Sequence, residues 1–303
     1  MTVFYRCFII YFFLLINTNE GLAVTDKLVY QHQNQTKISS VKQLSANSFE
    51  IIPQSQSNSQ NTIKLVTLDW PPYIDRNVCG NGWVFQLTGA LFSELGYRIT
   101  IEFLPWARSV RMAELGQADI LFPEYFIEVT APSDVIPNSF RRNNLDLSTP
   151  YPGGLIGLIS RNDFKSNYDG SFSSIQGARI GVVRGYQNTP EFDKHLDLGF
   201  FNAIEARDDA QNLKMLLAGR VDYIVADPNV ANYLLAHDKG IEDNAIKLVH
   251  PPFQENDFYF AISKKSTNWQ SLQTEINAKL AEFIELGTLA EIKQKSENCT
   301  PKD

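Results

Sequence analysis

The chain has few of the residues that mark chemistry. Only three cysteines occur in 303 residues, and no two of them, or a cysteine and a histidine, stand at the short spacing a structural zinc site requires. The four histidines, at 32, 195, 237 and 250, are scattered and form no motif with an acid. No GxSxG, HExxH or glycine-rich nucleotide loop is present, which argues against an elbow-type hydrolase, a zincin and a nucleotide-binding domain. Basic residues are outnumbered, 27 against 34 acidic ones, and a net charge of −7 leaves no basic face to neutralise phosphates. Nucleic acid is therefore not an expected partner, and no metal or cofactor is expected. Beyond the N-terminus no run approaches the roughly 18 apolar residues of a membrane span.

The N-terminus is the one apolar run, and it reads as a targeting segment. Arg6 supplies a positive start, residues 7–16 (CFIIYFFLLI) are too short to cross a bilayer, and Gly21-Leu22-Ala23 places small residues where a signal peptidase reads them. The expectation is a cleaved signal peptide over 1–23 and a periplasmic protein. Cys7 leaves with it, so Cys79 and Cys299 remain as an even pair in an oxidising compartment. Residues 24–61 are rich in Gln, Asn and Ser and lack periodic apolar positions, so they are expected to form a disordered polar leader that proteolysis can trim. Within it only 49–52 (FEII) has the character to pack locally, and the SxxK of Ser39 to Lys42 is read as chance.

From Ile63 onward, order is legible. Short β-branched strands at 63–68, 99–103 and 119–122 alternate with apolar stretches of helical length at 83–95 and 107–115, each closed by a glycine, Gly96 or Gly116. After a proline-punctuated loop over 128–144 the pattern restarts. Strands are expected at 154–160, 178–183, 221–226, 248–249 and 258–263. Helices are expected from about Thr189, at 208–218 and at 229–236, and a helical pair broken at Gly287 closes the chain. The phrase helix–Gly–x–x–Asp–strand occurs twice, at 115–119 and at 218–222, which favours two similar α/β units over one large sheet.

In this order the phrases resemble the family-3 extracellular solute-binding proteins, the periplasmic receptors of polar amino-acid ABC transporters. The resemblance is carried by Asp69-Trp70-Pro71-Pro72-Tyr73 after the opening strand and by the spacing from Gly82 to Gly96. Asp146-Leu147-Ser148-Thr149-Pro150-Tyr151, residues 219–227 (GRVDYIVAD) and residues 286–292 (LGTLAEI) complete it. It implies an α/β fold of the type II periplasmic binding class, two α/β lobes joined by two crossover strands. Lobe 1 would comprise 62–153 plus 254–297 and lobe 2 154–253, leaving a C-terminal tail at 298–303. It also implies a monomer that hands its ligand to an ABC permease in the inner membrane. Sensory or orphan receptors and dehydratase-like enzymes share the fold and stand as the alternatives, with no enzyme activity the expectation.

The resemblance also nominates a site for a small polar ligand such as an amino acid. Arg141, five residues before Asp146, matches the position that grips a ligand carboxylate, with adjacent Arg142 as the substitute. Asp227 matches the ammonium partner and is equally placed to cap the helix that follows. Tyr186, Gln187 and Asn188 lie on a loop before a helix N-terminus, where anions bind. Trp70 and Tyr73 would form an aromatic wall or pack in the core. Where the family carries a Gly-x-Thr run, this chain has Phe122-Pro123-Glu124-Tyr125-Phe126. Glu124 would answer an additional cationic group on the ligand, or pair structurally with Arg108 or Arg111. The family's tail packs back on lobe 1, which implies a Cys79–Cys299 disulfide, two separate thiols being the alternative.

Overall fold

The computed structural model describes residues 25–54, 62–133, 135–238, 242 and 244–299. The expected signal peptide and residues 300–303 lie outside these. In chain order the first lobe holds β1 (Thr25–His32), β2 (Gln35–Ser45), β3 (Ser48–Pro53), β4 (Thr62–Thr67), α1 (Trp83–Glu94), β5 (Arg98–Phe103), α2 (Trp106–Glu114), β6 (Ile120–Glu124), α3 (Arg141–Asn144) and β7 (Leu145–Leu147). The chain crosses on β8 (Tyr151–Arg161) into β9 (Arg179–Val183), α4 (Pro190–Asp197), β10 (Asn202–Ala206), α5 (Asp209–Leu217), β11 (Tyr223–Ala226), α6 (Pro228–His237) and β12 (Ile246–Leu248). It returns on β13 (Gln254–Ser263) and ends in α7 (Trp269–Glu285) and α8 (Thr288–Glu297).

Hydrogen bonding joins the strands in the order β1-β2-β3-β5-β4-β6-β13-β8-β11-β9-β10. The two crossovers make this one path through two lobes. The first part of β8 pairs antiparallel with the first part of β13, Gly154 opposite Asn256 and Ile156 opposite Gln254. Each then changes partner. The end of β8 pairs with β11 and β12 in the second lobe, and the end of β13 pairs with β6 and β7 in the first. Within each lobe the other central pairs are parallel, β5-β4-β6 in one and β11-β9-β10 in the other. That arrangement follows from alternating strands and helices, because a helical crossover returns the chain in the same direction.

The leader expectation is corrected. Residues 25–53 form three antiparallel strands that extend the first lobe's sheet, β3 pairing with β5 with Ile51 opposite Ile99. The reason is period-two patterning too sparse to survive averaging over a polar window. Leu28, Tyr30 and His32 on β1, Ser39 and Val41 on β2, and Phe49 and Ile51 on β3 are all buried, while the residues between them face solvent or lie only partly covered. The strands lie flat on α1, so close that a Cβ on Gly89 would come within 2.3 Å of a Leu28 methyl carbon. Polar links reinforce the packing. Tyr30 donates to Glu94 at 2.7 Å, and the buried His32 ring stands 3.1 Å from both the Thr288 hydroxyl and Glu282. Ser39, half of the SxxK phrase, donates to Ser93 in the same interface.

Cys79 and Cys299 form a disulfide, with Cα atoms 5.9 Å apart. It fastens the C-terminal end of α8 beside the turn that precedes α1.

Two outcomes follow from this packing. Leu28→Ala should cost about 2–5 kcal/mol in urea unfolding, as for other buried leucines, and a chain lacking 25–53 should lose cooperativity. An unchanged midpoint would show that the meander contributes nothing. Cys79→Ser should lower stability by up to about 5 kcal/mol, the chain-entropy value for so long a loop. Free thiols in the non-reduced, denatured wild type would refute the bridge.

Candidate functional site

Parallel α/β sheets present their loops, and hence their ligand sites, at the carboxyl ends of the strands. Here those ends from both lobes meet. Leu68 and Trp70 follow β4, Trp106 follows β5, Glu124 ends β6 and Tyr125 follows it, and Tyr186 and Gln187 follow β9. Together with Pro123 and Phe258 these residues line one narrow cavity between the lobes. Its rings are packed edge to face or tilted: Trp70 and Tyr125 at 5.7 Å, Tyr125 and Phe258 at 5.7 Å, Trp106 and Tyr186 at 6.0 Å. The walls stand so close that little beyond a water-sized space remains.

Among the hydrogen bonds of the described residues, three join the lobes at two places near this cavity. Trp106 of the first lobe donates its indole N–H to the Gly185 carbonyl of the second at 3.2 Å. Gly185 has φ +85°, and an added Cβ would meet the Ala107 Cα at 3.2 Å, so glycine permits both the turn and the approach. Tyr73 of the first lobe donates to Asp227 Oδ2 of the second at 2.9 Å, and the same hydroxyl accepts from Asn229 Nδ2 at 3.0 Å. The pair sits against crossover strand β8, where a Cβ on Gly154 would fall 2.0 Å from Asp227 Oδ2 and 2.5 Å from the Tyr73 hydroxyl.

Asp227 thus does two things at once. Its Oδ1 caps α6, accepting from the Asn229 and Val230 amides, and its Oδ2 is taken by Tyr73. It is buried outside the ring-lined cavity, and the place expected for a ligand ammonium is filled by the protein's own hydroxyl. Burial raises its pKa to about 6, against the pull of the Tyr73 hydrogen bond.

Arg141 and Arg142 separate cleanly. Arg142 turns away to pair with Asp146 at 2.7 Å, and its carbonyl accepts from Lys264. Arg141 is 1% exposed and faces a neighbouring cavity with Asn188 and Asp193 of the second lobe. Its guanidinium pulls down the pKa values of both Glu124 and Asp193, although burial dominates each, raising them to about 8 and about 6. Asn188 is committed to Asp193, to which it gives its amide N–H at 2.9 Å and its side-chain N–H at 2.8 Å. It stands beside the Arg141 cavity rather than in the ring-lined one. Among the ion pairs of the described residues none joins Glu124 to Arg108 or Arg111.

Glu124 is 2% exposed. Its Oε1 accepts from the Tyr125 amide at 3.2 Å, and its Oε2 has no hydrogen-bond partner among the described residues. The Tyr125 hydroxyl and the Trp70 indole N–H are likewise buried without one.

Several residues here escaped the sequence reading. Trp106 and Phe258 line the cavity, and Asp209 lies behind it. Asp209 accepts from the Tyr186 hydroxyl at 2.6 Å, its Oδ1 is buried without a partner, and burial raises its pKa to about 7. The available signal was position: Trp106 and Asp209 each come within a few residues of a parallel strand's carboxyl end.

No protein-family model matches the sequence, and no curated protein matches it either. Solved structures do match. An ancestral arginine-binding protein bound to arginine superposes with a TM-score of 0.63 at 20% identity, over 78% of this chain and 99% of its own. A histidine kinase sensor domain with similarity to periplasmic binding proteins gives 0.64 at 19%, over 78% and 96%. An amino-acid ABC transporter substrate-binding protein from Streptococcus pneumoniae, bound to L-arginine, gives 0.60 at 17%, over 78% and 94%. The chain has the periplasmic-binding-protein fold of two α/β lobes, as its sequence phrases implied. Among the described residues no helix is long and apolar enough to cross a membrane.

The cross-lobe contact gives a direct test. Tyr73→Phe removes a hydrogen bond to a buried carboxyl, a loss of about 1–3 kcal/mol borne by the closed state alone. Gly154→Ala should wedge the same contact apart. Both variants should show a larger radius of gyration in small-angle X-ray scattering at unchanged helix content. Radii equal to wild type in both would remove the latch.

Proposed function

We propose that this chain is an exported solute-binding protein that closes its two lobes around a small polar ligand of the amino-acid type and is not itself an enzyme. The observation that carries the reading is the seam between the lobes. Strand ends of both contribute side chains to one cavity, and hydrogen bonds join the lobes at its edge through Trp106 and outside it through Tyr73. Two rigid units on two short crossover strands can separate and re-close at little cost, which is how hinged receptors capture a ligand.

The Arg141 guanidinium, buried beside the loop of the second lobe, is proposed to meet the ligand's carboxylate. Asp227 is proposed to release Tyr73 when the lobes part, so that ligand and tyrosine compete for it. Trp70 and Tyr125 form the wall against which the ligand stacks, and Tyr186 and Gln187 close over it.

Delivery to an ABC permease in the inner membrane, by a monomer in the periplasm, is the reading that accords with the arginine-binding neighbours. A second reading has its own support in the kinase sensor domain of the same fold: the closed, ligand-bound form would be read by a membrane partner that signals instead of transporting.

A thermal-shift screen over the amino acids, small amines and organic acids tests the proposal. The cognate ligand at a hundred times its Kd should stabilise the protein by about 2.7 kcal/mol, because only the folded state binds it. The same compound should compact the Tyr73→Phe variant in scattering. No shift with any member of the panel would refute the solute-binding reading.

A further inference from the structure

The ring-lined cavity contains one carboxyl, and no hydrogen bond among the described residues reaches its Oε2. Glu124 is placed there by β6, whose residues are all buried, so its side chain is almost wholly shielded from solvent. A carboxyl buried this deeply is costly unless it meets a cation or a hydrogen-bond donor, and the Arg141 guanidinium offsets that cost only in part, burial remaining the larger effect. Around it stand the faces and edges of Trp70, Trp106, Tyr125 and Tyr186. Aromatic rings attract cations through their quadrupole, and attract them most strongly where water is excluded. An apolar ligand would leave Glu124 unsatisfied, and an anion would oppose the ionisation of both Glu124 and Asp209 behind Tyr186.

We infer that Glu124 receives a cationic group of the ligand bearing N–H donors, a guanidinium or a primary ammonium, held among Trp70, Trp106, Tyr125 and Tyr186. The bound solute is therefore a small cationic amino acid or amine. This rests on the solute-binding reading and narrows it. The N–H requirement comes from the bare Oε2, which needs a donor as well as a charge; an alkylated ammonium would satisfy the rings and not the oxygen.

The charges that face Glu124 are the Arg141 guanidinium from α3, the Glu114 carboxylate from α2, the adjoining Tyr125 hydroxyl and, across the cavity, Tyr186. Burial raises Glu124 to about 8 against the pull of Arg141, so at neutral pH it holds its proton. An arriving cation favours the ionised form and drives that proton off. Binding should then weaken about tenfold for each pH unit below about 8, the slope of one linked proton. Asp209, raised to about 7, adds a second slope that does not pass through Glu124.

The test compares wild type with Glu124→Gln, which keeps the shape and removes the charge. Calorimetry at pH 8 uses L-arginine, L-lysine and agmatine as N–H cations. L-Citrulline and L-glutamine serve as neutral counterparts, and glycine betaine as a cation without N–H donors. At least one N–H cation should bind tenfold or more tightly than the neutral compounds and betaine. That preference should vanish in Glu124→Gln, whose melting temperature reports that it is folded. At pH 7, titrations in phosphate and in Tris should reveal proton release on binding to wild type, reduced in the variant. The inference is overturned if a neutral compound or betaine binds best, if no cation binds, or if the variant retains the preference. A neutral or anionic compound from the wider screen that stabilises the protein would overturn this inference and leave the solute-binding reading standing; no binding by any compound would end both.

Discussion

The antiparallel pairing of β8 with β13 is the constraint on which the rest depends. These strands are the hydrogen-bonded connection between the two sheets, and each changes partner midway. Because β8 runs out of the first lobe and β13 returns to it, the strand ends of the two lobes face each other across the crossing. That opposition makes the cavity. It also places Gly154, the one residue small enough for the position, where Tyr73 and Asp227 meet.

Electrostatics in the cleft follow from its closure. Glu124, Asp209, Asp193 and Asp227 all titrate above the ordinary carboxylate range, and burial is the largest cause in every case. The stabilising interactions differ: a guanidinium beside Glu124, two N–H groups of Asn188 on Asp193, tyrosine hydroxyls on Asp209 and Asp227. With the lobes apart, water would return to several of these groups and their pKa values would fall. Closure and protonation are thus linked.

The N-terminal meander bears on stability rather than on the site. It covers α1 and ties β1 to α8 through His32 and through Lys295, which donates to the Val29 carbonyl. The disulfide fastens the end of the same helix. The first lobe is therefore braced at a distance from the cleft.

Periodicity and punctuation in the sequence determined most of the elements from Ile63 onward. Helices α1, α2 and α5 stop at Gly96, Gly116 and Gly219, all in the left-handed conformation, and the strands between them fall within a few residues of their expected places. Two kinds of element were not legible. Strand β10 is an exposed edge with no apolar run, and the meander alternates too thinly for composition to reveal. Of the candidate site residues, sequence could name types and strand ends, because local backbone geometry fixes where a parallel strand's loop begins. Only tertiary structure decided orientation: that Arg141 turns inward while Arg142 pairs with Asp146, that Tyr73 occupies Asp227, and that Trp106 and Phe258 join Trp70 around Glu124. Apart from the Arg142–Asp146 pair, which is four residues apart, these depend on residues far apart in the chain meeting across a crossing of two strands, and local sequence encodes no such distance.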